Sequence, residues 1–152
     1  MRPKLKELRF KVEKEIKQAE AVVQKNQKSA NLIGGGIASG YSIAGDLEHA
    51  RNTSFLSEKR LVELRKLEQE LAVALRRPVT AVVPPCFLAV RDQGGQTKEF
   101  YLVKNPVHFA KVNLVSVNSS LGKALQNRRS GENFTYLSAD GVKITHEIIR
   151  IA

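Results

Sequence analysis

Cysteine is almost absent: the chain of 152 residues carries only Cys86. One thiol cannot build an internal disulfide framework or a Cys-rich zinc site. Long apolar runs are also missing. No stretch approaches the ~18–20 residues of a membrane-spanning helix. The first residues, Met1-Arg-Pro-Lys-Leu-Lys-Glu-Leu-Arg9, are charged throughout and lack the apolar core of a secretory signal. These absences point to a reducing, cytoplasmic setting with no membrane partner. The three histidines, His49, His108 and His146, fall in different segments with no metal-ligand spacing. No carboxylate pair in the C-terminal half suggests general acid–base work. Internal repeats and low-complexity segments are absent.

Acidic residues are in short supply. Against 25 Lys and Arg stand 15 Asp and Glu, a formal net charge of +10. The excess is spread over the chain: residues 1–78 carry 16 basic and 10 acidic side chains, and residues 79–152 carry 9 and 5. No charged tail accounts for it. Such a balance favours a polyanionic partner, either nucleic acid or a protein machine that holds it. Hydrophobic residues make up 42% of the chain, a globular composition.

Two long segments carry helical periodicity. In residues 4–31, Leu5, Leu8, Val12, Ile16, Ala19 and Val23 recur at spacings of three and four. Pro3 suits the first turn, where its missing N–H costs nothing. In residues 47–77, Leu61, Leu64, Leu71 and Leu75 mark one stripe among Lys, Arg and Glu. Two narrow apolar stripes of matched length predict an antiparallel coiled-coil hairpin over residues 1–77; pairing between two chains is the alternative. The glycine-rich stretch Leu32–Asp46 is expected to be the loop at its tip, because each glycine in a helix interior costs about 1 kcal/mol. Asp46 is then expected to cap the second helix.

From Pro78 the pattern changes to short β-rich runs, predicting a second domain over 78–152. Phe87–Arg91 and Glu99–Val103 flank Asp92-Gln-Gly-Gly-Gln-Thr97, a hairpin signal. Asn113–Val117 is a third strand. Ser119–Asn127 reads as a short helix with a serine cap. Asn133–Leu137 and Val142–Ile151 are the last strands, around Ala139-Asp-Gly141. The fold class is α+β: a helical hairpin followed by a small antiparallel sheet with one helix over a face.

Several motifs fail. The Gly34–Gly36 cluster follows a helix and has no Gly-Lys-Ser/Thr ending, so it is not a phosphate loop; Ser39 breaks the dinucleotide pattern. Cys86, in an apolar strand-like run, is expected to be buried and inert.

Two other motifs carry a resemblance. Gly45-Asp46-Leu47, followed by a long Leu/Glu/Lys/Arg helix, resembles the Gly-Asp-Leu-x-Glu-Asn-Ala-Glu-Tyr of the Gre family of bacterial transcript-cleavage factors (GreA/GreB-type). Val115-Ser-Val-Asn-Ser-Ser-Leu-Gly-Lys-Ala-Leu125 is similar to that family's Ile-Ser-x-x-Ser-Pro-Leu-Gly-x-Ala-Leu. Ser130-Gly-Glu-Asn133 and the terminal Ile148-Ile-Arg-Ile151 extend the match.

The resemblance implies an FKBP-like C-terminal domain. It also implies a transcription elongation factor that binds bacterial RNA polymerase and puts its coiled coil into the secondary channel, beside the nascent RNA 3′ end. Such a factor is not an enzyme and has no cofactor of its own. Its tip carboxylate, Asp46, would join the Mg²⁺ of the polymerase active site and aid hydrolysis of backtracked RNA. Glu48 is a lesser candidate. Ser119, Leu121, Lys123, Arg128 and Arg129 are candidate polymerase-docking residues. Lys25, Lys28 and Arg51 are candidate RNA contacts near the distal end. The chain would act as a monomer. It departs from the family where a second acid is expected one turn after Asp46: His49 stands there, and imidazole is a poor ligand for Mg²⁺. Weak cleavage or none is implied. The alternatives are a non-cleaving modulator of polymerase and a general basic nucleic-acid-binding coiled coil.

Overall fold

The computed structural model describes residues 2–34, 41–109 and 111–152. Helix α1 spans Pro3–Gly34 and helix α2 spans Tyr41–Ala74. They pack antiparallel along a seam of Leu5, Leu8, Val12, Ala19 and Val23 against Leu64, Leu67, Leu71 and Ala74, all buried. Leu67, absent from the expected stripe, is fully buried, because 64-67-71-74 is the three-four spacing that faces a partner helix. Leu61 and Leu75 sit at its margins. The register is visible in the cross-links: Arg9 to Glu68 at 2.9 Å, Arg60 to Glu15 at 3.3 Å, Arg65 to Glu20 at 2.9 Å, and Asn26 to Ser57 at 3.2 Å.

The expected loop over 32–46 is corrected at both ends. Helix α1 continues through Gly34, and α2 begins at Tyr41, so Asp46 lies inside α2 and is not its cap. Once a helix is nucleated, each added residue gains a hydrogen bond, and one glycine's deficit does not stop it. Leu47 and Ala50 turn partly inward and continue the α2 seam. Residues 35–40, the centre of the expected tip and the site of the Gly35, Gly36 and Ser39 readings, lie outside the described residues.

The C-terminal half forms a five-stranded sheet in the order β3-β2-β1-β5-β4. Its strands are β1 (Cys86–Asp92), β2 (Thr97–Val103), β3 (Leu114–Ser116), β4 (Asn133–Leu137) and β5 (Lys143–Ile151), with α3 (Ser120–Leu125) between β3 and β4. Three ladders are antiparallel, as expected. The fourth is not: β3 runs parallel to β2, pairing Tyr101 with Leu114 and Val103 with Ser116. The chain after β2 crosses back before β3 begins, carrying Val107 and Phe109 into the core. The β1–β2 turn uses Asp92, whose Oδ1 accepts from the Gln96 amide at 2.9 Å.

Both faces of the sheet are covered, and strict alternation explains the uninterrupted apolar run of β1. Phe87 and Ala89, with Tyr101 and Val103 of β2, face the base of the hairpin and join its core. Cys86, Leu88 and Val90, with Phe100 and Leu102, face the other way and pack with Leu125, Phe134 and Ile148. The Cys86 thiol is buried, and burial pushes its pKa up to about 12.

The hairpin base is fastened to the sheet domain by polar contacts that long-range folding alone creates. Arg2, 6% exposed, donates to the carbonyls of Ala74 at 3.1 Å, Pro85 at 3.0 Å and Ala152 at 3.3 Å. It thus joins the end of α2, the linker before β1 and the residue that follows β5. Glu70 accepts from the amides of Lys104 at 2.6 Å and Asn105 at 3.2 Å, and Arg60 donates to the His108 carbonyl at 3.0 Å. No described helix is long and apolar enough to cross a membrane.

Candidate functional site

The distal hairpin is built differently from its base. On α2 the inward positions become Leu47, Ala50, Ser54 and Ser57, all only partly buried. Small and polar side chains replace leucine there, and a hydrogen bond between Asn26 and Ser57 takes the place of apolar packing. Asp46 and Glu48 flank Leu47, and both are exposed. At 100° per residue they diverge around the helix, so one small ion cannot draw on both. His49, also exposed, follows Asp46 by one turn, and its carbonyl accepts from Thr53 Oγ1 at 2.9 Å. Among the described residues no group of three or more His, Cys, Asp or Glu could hold a metal ion. Asp46 offers one carboxylate to a cation held by another molecule, and no more. From Asp46 to Ala74, 28 residues at 1.5 Å each, the helix extends roughly 42 Å.

Lys25 and Lys28 on α1 and Arg51 on α2 are exposed and have no ion-pair partner among the described residues. The Asn26–Ser57 contact sets their level: Lys25 stands beside it, and Arg51 lies roughly 9 Å nearer the tip. A larger feature escaped the reading of the sequence. Lys6, Phe10, Lys14, Lys17 and Lys28 occupy one outward row of α1, all exposed, and Phe10 is 70% exposed. On the outward row of α2, Phe55, Lys59, Val62 and Lys66 do the same. Both rows lie opposite the apolar seam, whose three-four spacing of leucines is the stronger periodic signal.

The docking candidates lie together at α3 and the turn after it. Ser119 caps α3: its Oγ accepts from the Gly122 amide at 3.0 Å and donates to the Ser116 carbonyl at 2.7 Å. Gly122 is buried so closely against Ser116 and Val117 that a Cβ would overlap their backbone. Leu125 is core, and Leu121 is partly buried beside it. Much of the Ser-Leu-Gly-Lys-Ala-Leu motif therefore holds the fold. Lys123, Arg128 and Arg129 are exposed around it, with Arg128 3.6 Å from Glu132. Backbone bonds between Val82 and residues 127 and 128 fix this turn. The docking and distal-hairpin groups do not converge; they sit on separate units of the molecule.

His146 is the other residue that sequence reasoning left unassigned. It is 3% exposed, and neither ring nitrogen has a hydrogen-bond partner. Its ring stacks with Phe134 at 5.8 Å and Tyr136 at 5.6 Å. Burial, with Lys98 nearby, holds its pKa below the usual histidine value against the opposing pull of Asp92. Nothing in its neighbours along the chain signals this environment.

Neither a protein-family model nor a curated protein matches the chain. Among solved structures it is similar to a prokaryotic transcription elongation factor GreA/GreB from Nitrosomonas europaea, at 20% identity over 59% of this chain and 78% of that one, with a TM-score of 0.42. It is similar to Thermus aquaticus Gfh1 at 19% identity, over 93% of this chain and 92% of that one, with a TM-score of 0.42. Against GreA factor homolog 1 (Gfh1) of Thermus thermophilus the identity is 17%, over 99% and 93% of the two chains, with a TM-score of 0.41.

Proposed function

We propose that this protein is a Gre-type transcription elongation factor that binds RNA polymerase and inserts its hairpin into the secondary channel. One observation carries the reading. A slender two-helix hairpin stands on a compact sheet domain, presents exposed Asp46 and Glu48 far from that domain, and has outward rows rich in lysine. A basic, narrow element of this kind suits a passage that holds RNA, where each phosphate contact releases counterions and makes binding fall with salt. The sheet domain docks through Lys123, Arg128, Arg129 and the exposed part of Leu121. Ser119 acts by shaping α3.

In this reading the chain has no catalysis or cofactor of its own. The polymerase supplies Mg²⁺, and Asp46 supplies a single oxygen ligand or water-orienting group. The α2 face that carries Asp46 continues with His49 and Thr53, so no second carboxylate joins it. That observation favours weak cleavage or a non-cleaving, channel-occupying modulator over a strong cleavage factor. The test is to add the protein to stalled, backtracked elongation complexes and measure both 3′ RNA fragments and occupancy. Binding with few or no fragments is expected. Failure to bind polymerase, with salt-sensitive binding to free nucleic acid instead, would make the protein a general nucleic-acid binder.

A further inference from the structure

On the face of the sheet that carries α3 lies a cavity of about 440 Å³, lined by Val90, Phe100, Val115, Leu121, Tyr136 and His146, with Lys98, Glu99 and Asn113 at its margin. Its size and mostly apolar lining with a few polar groups are those of a small-ligand site. The aromatic wall is ordered, since Tyr136 and His146 are stacked at 17° between ring planes. The buried imidazole in that wall has one donor and one acceptor, and the chain satisfies neither. Buried polar groups are nearly always paired; both nitrogens are covered in the free chain, so a small shift of the wall is what brings a ligand atom into pairing with one of them. Lys98 has no ion-pair partner among the described residues. Glu99 beside it penalises an anion placed on its own side.

We propose that this cavity binds the nucleobase of a nucleotide, with the ring stacked on Tyr136, an edge toward His146 and the phosphate directed to Lys98. A flat heterocycle whose edge offers adjacent donors and acceptors meets both needs of the wall. It stacks on the aromatic side chain and pairs with the imidazole, as unstacked bases do in proteins that bind single strands. A simple aromatic hydrocarbon would leave His146 unpaired, and a free phosphate would leave the apolar wall bare. The base comes from a free mononucleotide or from single-stranded RNA. The site shares Leu121 with the proposed docking surface, but nucleotide titration without polymerase reads it alone, so its failure and that of the function proposed above are distinguishable.

The test uses the full chain labelled with ¹⁵N, titrated at low salt with guanosine, adenosine and uridine monophosphates, the nucleosides, and a short single-stranded oligoribonucleotide. Saturable amide shifts at Val90, Phe100, Leu121, Tyr136 and His146 are expected at millimolar nucleotide. The oligonucleotide binds through the same amides at least about tenfold more tightly if RNA is the source, by contacts beyond the first base. Equal affinity assigns the site to free nucleotide. Lys98→Ala should weaken the monophosphates by roughly two- to fivefold and leave the nucleosides unchanged. His146→Phe keeps the stack and should weaken both. Leu121→Trp fills the cavity and should abolish binding; Tyr136→Leu, which removes the stacking surface without adding bulk, gives the same answer if that variant does not fold. Shifts confined to the hairpin lysines, no shifts at millimolar ligand, or binding that survives Tyr136→Leu in the folded protein would each overturn the assignment.

Discussion

Replacing Arg2 with Met removes one side chain that ties three parts of the molecule together. The guanidinium donates to carbonyls of α2, the linker and the last residue. Hydrogen bonds from a charged donor are worth about 1.5–3 kcal/mol each. The contacts to Ala74 and Pro85, at 3.1 and 3.0 Å in buried surroundings, count fully, and the longer one to Ala152 counts little. Against them stands the cost of burying the charge, which lowers the Arg2 pKa, and Nε lacks a partner. Methionine keeps the apolar stem and escapes that cost but strands buried carbonyls. The net loss should be about 2–4 kcal/mol. Lysine, which can reach fewer of the carbonyls, should recover part of it. Urea unfolding reads the loss directly. Hydrogen exchange should show faster opening at the end of α2 and at β5, with the middle of the hairpin unaffected. A change below about 0.5 kcal/mol, the range of ordinary surface substitutions, would refute the assignment of Arg2 as the fastening between hairpin and sheet.

Further outcomes follow from the same geometry. Gly122→Ala forces a Cβ into the Ser116–Val117 backbone and should cost about 2–4 kcal/mol in urea unfolding, whereas Ser119→Ala should lose only the cap, about 1 kcal/mol. His146 is held neutral by burial, with its folded pKa below the unfolded value. The unfolded chain therefore binds the extra proton first, and stability present above about pH 6.5 should fall as pH drops through the folded pKa, with a slope of at most about 1.4 kcal/mol per pH unit; His146→Phe should flatten that part of the profile. Asp46→Asn should leave stability within about 0.5 kcal/mol, because Asp46 is exposed and caps nothing. It should remove any cleavage stimulation without loss of polymerase binding, and His49→Glu should raise cleavage. Replacing Lys25, Lys28 and Arg51 together with alanine should weaken action on backtracked complexes more than binding to free polymerase.

Local patterns in the sequence were the legible ones. Ser119 capping α3, the Asp92 turn and the alternating strands all depend on residues a few positions apart. The hairpin was legible too, because its apolar seam repeats over many turns. What escaped depends on distant contacts. Arg2 meets carbonyls 72 to 150 residues away, and Glu70 meets Lys104 and Asn105 across the base of the hairpin. The parallel placement of β3 is set by how the chain crosses after β2, not by the composition of Leu114–Ser116. The glycine-rich segment misled in the other direction: local propensity argued for a loop from 32 to 46, yet helix continues to Gly34 and resumes at Tyr41. Asp46, a candidate through its resemblance to the family's tip motif, is exposed near the hairpin's distal end but lies inside α2 instead of capping it.

The proposed insertion of the hairpin's distal end beside the polymerase active centre is open to direct measurement. Iron(II) replaces the catalytic magnesium, hydroxyl radicals form at that point, and cleavage of the end-labelled protein is mapped. Cuts clustered around Asp46 and Glu48, lost when the channel is blocked, are the predicted result. A bound protein cut instead in the sheet domain near Arg128, or left uncut, would contradict insertion of the hairpin.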